Sequence, residues 1–89
     1  MLYRIAKITD LKGDDKTDDK ALGRIDRLMD INPENININR SLYMVCVKPN
    51  VLKSLITSYV KKVKTTNDEL VITTENSIYH LVREGDADE

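Results

Sequence analysis

Residues 69 to 84, ELVITTENSIYHLVRE, constrain this chain more than any other stretch. Apolar and polar residues alternate on both sides of Glu75 and Asn76, as in two half-buried strands joined by a short turn. A two-residue turn at Glu75 and Asn76, with Asn76 tolerating positive φ, sets Leu70 opposite Leu81 and Ile72 opposite Tyr79. It also sets Val71 opposite His80 and Thr73 opposite Ile78. The first face is apolar and belongs to a core. The second continues to Val82 and mixes apolar with polar side chains, so it calls for a cover, either the segment at 20–30 or another molecule.

The period of two recurs along the chain. LYRIAKI, from Leu2 to Ile8, reads as a first strand. NININRSLYMVCV, from Asn35 to Val47, alternates through Ile36 and Ile38 and then places Leu42, Met44 and Cys46 on one side, with Tyr43, Val45 and Val47 on the other. It predicts one long strand entering the core, stopped by Pro49, which lacks a backbone donor. In VLKSLITSYVKKV a further strand is expected over 55–63. Tyr59 and Val63 fall in one phase there and Val60 in the other, which a bulge would reconcile. TTND, residues 65–68, is a turn signal resting on Asn67 and Asp68.

The segment ALGRIDRLMDI, residues 21–31, leaves two readings open. Leu22, Ile25, Leu28 and Met29 recur at helical spacing, and Asp18 or Asp19 could cap a helix start. Gly23 argues against that helix at a cost of about 1 kcal/mol relative to alanine, and a strand using Ile25 is the other reading. Before it, TDLKGDDKTDDK is a solvated acidic loop. It is no EF-hand, because a calcium loop with Gly13 at its sixth position would begin at the apolar Ile8.

These elements predict a mainly β fold, a small antiparallel barrel or curled sheet with room for one short helix at about 18–30. Residues 1–83 would form a single domain and residues 84–89 an acidic, flexible tail. Eighty-nine residues bury only about 60 to 65% of the surface that the unfolded chain exposes, so the core is small. Cys46, the single cysteine, has no internal disulfide partner. The longest apolar run, Met44 to Val47, falls far short of the roughly 20 residues of a membrane span, and MLYRIAKITD reaches Arg4 and Lys7 before a signal-peptide core could form. A cytoplasmic protein without membrane contact is therefore expected.

Charge is segregated, although the chain carries a net charge of −1. Residues 35–67 hold Arg40, Lys48, Lys53, Lys61, Lys62 and Lys64 and no acid, whereas residues 68–89 hold Arg83 against seven acids. Two readings follow: adjacent strands whose charges compensate, or an interaction surface. On the second, Arg40, Lys48, Lys61, Lys62 and Lys64 would meet an acidic protein partner. Val71, Ile78 and Val82, on the second face of the closing hairpin, or else an uncovered strand edge, would support self-association, as a homodimer.

The closing pattern ITSYVKKVKTTNDELVITTENSIYHL resembles the end of small β-rich proteins encoded by phages and prophages of Gram-positive bacteria. In those a Thr-Ser pair, here Thr57 and Ser58, begins a strand, and the last hairpin carries the equivalents of Thr74, Asn76, Ser77 and Tyr79. LYRIAKITDL and GRIDRLMDI are similar in style. The resemblance implies an accessory protein of a mobile element and brings no catalytic residue or cofactor.

No motif in the sequence specifies a reaction. A Cys46–His80 pair is the only thiol-imidazole option, and Cys46 sits in an apolar run where a buried cysteine serves as a small hydrophobe. No glycine-rich phosphate loop or dinucleotide fingerprint occurs. The functional expectation is a non-catalytic protein-binding module, acting as a small oligomer and needing no cofactor. The alternatives are a nucleic-acid module, using the basic 35–64 segment with Tyr43 or Tyr59 to stack a base, and an oligomer enclosing a small anionic ligand among its lysines.

Overall fold

The computed structural model of the chain describes residues 1–85. Six antiparallel strands follow one another around a closed barrel: β1 (Leu2–Thr9), β2 (Leu28–Asp30), β3 (Ser41–Lys48), β4 (Leu55–Thr65), β5 (Glu69–Thr74) and β6 (Ile78–Gly85). Each pairs with its neighbour in sequence, and β6 returns to pair with β1. One short helix, α1 (Asp19–Leu22), precedes β2.

The closing hairpin has the register that its alternation demands: Leu70 pairs with Leu81, Val71 with His80, Ile72 with Tyr79 and Thr73 with Ile78. Leu70, Ile72, Tyr79 and Leu81 are buried in the barrel interior together with Tyr3, Ile5, Met29, Met44 and Val60. The turn differs in detail, because Asn76 has no positive φ. Instead the Thr74 hydroxyl accepts from the Asn76 and Ser77 amides at 3.4 and 3.2 Å and donates to the Ser77 carbonyl at 3.1 Å. The Glu75 amide donates to the Tyr59 carbonyl of β4 at 3.0 Å. A threonine side chain and a neighbouring strand thus hold the turn that left-handed backbone was expected to make. The next turn back is similar, with the Thr66 hydroxyl accepting from the Asp68 and Glu69 amides in place of an Asn67 or Asp68 cap.

The 18–30 segment contains one helical turn and one short strand, but the strand is Leu28–Asp30 and Ile25, on which the strand reading rested, lies in the turn before it. Asp18 caps α1 by accepting from the Ala21 amide at 3.2 Å, and the helix ends at Gly23 after one turn. Asp26 then takes left-handed φ, at 69°, and the chain enters β2. Ala21 and Met29 reach the core, while Leu22, assigned to the apolar helix face, is exposed. The long strand expected from Ile36 begins only at Ser41. Pro33–Asn35 forms a 3₁₀ turn, and Asn39 is left-handed at φ 64°, which breaks the extended backbone even though the side chains alternate. The bulge expected in β4 lies between Val60 and Lys62 and brings half-buried Val63 into the inward phase of buried Val60, while Tyr59 stays outside.

The seam between β1 and β6 is tied by Arg4, which contacts Glu84 at 2.7 Å and Asp26 at 3.4 Å. The hydrogen bond to Glu84 is the largest influence raising the Arg4 pKa above its ordinary value. β6 runs on to Gly85, so Glu84 belongs to the barrel wall. The rest of the expected acidic tail, residues 86–89, lies outside the described residues. No helix among them is long and apolar enough to cross a membrane.

Candidate functional site

Inward positions of β3 and β4 supply the core, and the outward positions supply an apolar surface. Along β3, Met44 and Cys46 are buried, whereas Tyr43, Val45 and Val47 face outward and are exposed, Tyr43 by 57%. Ile56, opposite Tyr43 on β4, is 63% exposed, and Tyr59 lies opposite Ser41. The connection between the strands, a 3₁₀ turn at Val51–Lys53, packs against β3 and adds Val51 and the 89%-exposed Leu52. This connection is firmly held. The Asn50 side chain accepts from the Leu52 amide at 3.0 Å, and Ser54 Oγ donates to the Val51 carbonyl at 2.7 Å and accepts from the Cys46 amide at 2.8 Å. Exposed leucine and valine on so constrained a turn are held in place as a surface feature.

The basic residues are exposed but dispersed. Lys62 and Lys64 project from β4 beside Thr73 and Val71 of β5. Arg40 precedes β3 and Lys61 lies near it on β4, where Lys61 donates to Asn39 Oδ1 at 3.2 Å and the Arg40 carbonyl accepts from Val60. Lys48 is at the far end of β3, near Lys53, whose carbonyl accepts from Arg27 at 3.0 Å. Among the described residues none of Arg40, Lys48, Lys61, Lys62 and Lys64 is in an ion pair.

Val71, Ile78 and Val82, the positions expected to mediate self-association, do face outward but are half-buried. Most of the exposed large apolar residues lie instead on β3, β4 and their connection, with Leu11, Leu22 and Ile38 exposed elsewhere. In the sequence Tyr43, Val45 and Val47 form the reverse of a core strand, and alternation alone does not mark that reverse as uncovered. The signal was present: both phases of YMVCV are apolar, and one must face out of a single-walled barrel.

A second feature is polar. A cleft of about 340 Å3 opens between the α1 segment, β4 and the tip of the β5–β6 hairpin. Lys16, Lys20 and Arg24 line it from one side and Ser58, Ser77 and Tyr79 from the other. Thr57 and Asn76 also line it. Arg24 Nη1 donates to Tyr79 Oη at 2.8 Å.

Cys46 points into the core, where its thiol donates to the Lys48 carbonyl at 3.0 Å, while His80 pairs with Val71 on the outer surface of the wall. The barrel wall separates the two. Among the described residues no group of three or more His, Cys, Asp or Glu side chains is arranged to hold a metal ion. No family model, curated protein or solved structure matches the chain.

Proposed function

We propose that the chain is a non-catalytic protein-binding module, of the accessory kind implied by its resemblance to small phage and prophage proteins, and that it docks through the outer face of β3 and β4. The observation that carries this reading is the continuous exposure of Tyr43, Val45, Val47 and Ile56 beside the fixed Val51–Lys53 turn. Interface cores are built from such aromatic and aliphatic anchors, with charged residues at the rim. The segment that forms this face contains Arg40, Lys48, Lys53 and Lys61 and no acid, so it complements an apolar surface edged with carboxylates.

A second reading is supported by Tyr43 and Tyr59, two exposed aromatic rings on an acid-free segment, which could stack bases. The face is otherwise aliphatic, and Val45, Val47, Val51 and Leu52 offer a nucleic acid neither charge nor hydrogen bonds. Protein docking therefore uses more of what is exposed.

The test compares the parent chain with Tyr43→Thr/Val45→Thr, which places β-branched, strand-favouring side chains at both positions while removing apolar area. Both are immobilised and exposed to nuclease-treated host lysate, and the captured protein is then purified and titrated. The double substitution should weaken its binding at least about tenfold, and Lys53→Glu should slow association. Equal binding by parent and variant would remove this face from the interface. Binding that needs nucleic acid and falls steeply with salt would favour the second reading. Light scattering adds a check on self-association: a mass near 20 kDa, twice the chain's 10.2 kDa, that drops when Tyr43 and Val45 are replaced would make the occupant a second copy.

A further inference from the structure

We infer that the cleft between the α1 segment, β4 and the closing hairpin binds a small phosphomonoester through Lys16, Lys20, Arg24, Ser58, Ser77 and Tyr79. The charges at this cleft are available. None of Lys16, Lys20 and Arg24 makes an ion pair among the described residues. The one acid in the lining, Asp18, is already engaged as an acceptor from the Ala21 amide. Three cations against one carboxylate leave a local excess of two positive charges, which matches the roughly −1.5 to −2 of a phosphomonoester at neutral pH.

The hydroxyls point to the same ligand. Tyr79 is 4% exposed, and the one hydrogen bond at its phenol oxygen is accepted from Arg24, so its own proton is free to be donated. Ser77 is 7% exposed, yet its hydroxyl makes no hydrogen bond among the described residues. No fully enclosed side-chain nitrogen or oxygen is without a partner, so Ser77 Oγ keeps some access to the outside, and Ser77 lines the cleft. A nearly buried hydroxyl left without a protein partner marks a place for an acceptor from outside. Ser58 adds a third hydroxyl with no hydrogen bond of its own. Three cations and three hydroxyls supply more donors than the roughly four acceptor sites of a planar carboxylate can use, whereas a phosphoryl group has three terminal oxygens. The volume of about 340 Å3 leaves room for a small organic body behind the phosphate, at the lower end of the usual range for ligand sites.

The inference is independent of protein docking, since Tyr43 and Val45 do not line the cleft. Its test is amide chemical-shift titration of the full chain at fixed ionic strength with inorganic phosphate, glycerol 1-phosphate, acetate and a single-stranded oligonucleotide. Both phosphates should shift the Ser58, Ser77 and Tyr79 amides together and saturably, with dissociation constants on the order of 1 mM or below, and acetate should not. Lys16→Ala/Lys20→Ala, at one half-buried and one exposed lysine outside the core, should weaken phosphate binding at least about tenfold with the remaining spectrum unchanged. Ser77→Ala should weaken it about threefold or more, and Tyr43→Thr/Val45→Thr should leave it intact. Shifts that stay linear to about 50 mM, or saturable binding that survives the double alanine substitution, would overturn the inference. So would an oligonucleotide that binds more tightly than either phosphate and spreads its shifts along the lysines of β4.

Discussion

Tyr79 serves the core with its ring and the cleft with its hydroxyl, and the two contributions can be separated by substitution. Truncating it to alanine, or truncating the fully buried Ile72 opposite it, leaves a cavity in a small interior. Ile72→Ala and Tyr79→Ala are each expected to lose about 2 to 5 kcal/mol of stability in urea unfolding, and Tyr79→Phe only about 1 kcal/mol, from the Arg24 hydrogen bond. Losses within about 0.5 kcal/mol for the alanine variants would place these side chains outside the core. Cross-strand pairs of this kind were legible in the sequence because one register alone puts Leu70, Ile72, Tyr79 and Leu81 on the same face. The backbone of the turn was not, because the Thr74 hydroxyl satisfies its amides and removes the need for positive φ at Asn76. A side chain that substitutes for backbone geometry leaves no periodic trace.

Among the elements, α1 and β3 show where pattern misleads. Apolar spacing from Leu22 to Met29 fits a helix, yet the chain keeps a single turn, because Gly23 ends it and left-handed Asp26 redirects it into β2. So short a helix depends on its cap. Asp18→Ala is expected to cost about 0.5 to 2 kcal/mol, with faster hydrogen exchange at the Ala21 and Leu22 amides as the local signature; unchanged exchange there would mean that the packing of Ala21 alone holds the turn. In β3 the alternation of Ile36 and Ile38 continued smoothly into Leu42, but Asn39 interrupts the strand between them. Alternating side chains report which way residues point, not whether the backbone between them is paired. The same limit hid the exposed face of β3 and β4: sequence separates the two sides of a strand but does not say which side lacks a cover.

For the whole molecule the decisive feature is closure. Barrel class followed from the number and brevity of the strands, while the pairing of β1 with β6 depends on contacts that no local pattern encodes. The cleft was beyond reach for the same reason, since Lys16, Ser58 and Ser77 meet only once the circle is complete. Closure also orders folding. The β5–β6 hairpin is local, whereas the seam joins Arg4 to Glu84 across 80 residues and its loop-closure entropy must be met last. Ile72→Val should therefore slow refolding in stopped-flow measurements, while Ile5→Val, at the seam opposite Leu81, should speed unfolding and leave refolding within about twofold. The reverse pattern would place the seam in the transition state. A ribosome makes β1 first and β6 last, and at about 5 to 20 residues per second their emergence is separated by roughly 4 to 16 s. During that interval one flank of β1 presents unpaired amides and carbonyls, and the three-residue β2 can shield only the other. The newborn chain is thus a strand acceptor until its own last strand arrives, and crowding many copies onto one messenger would favour a neighbour's β6 in that place.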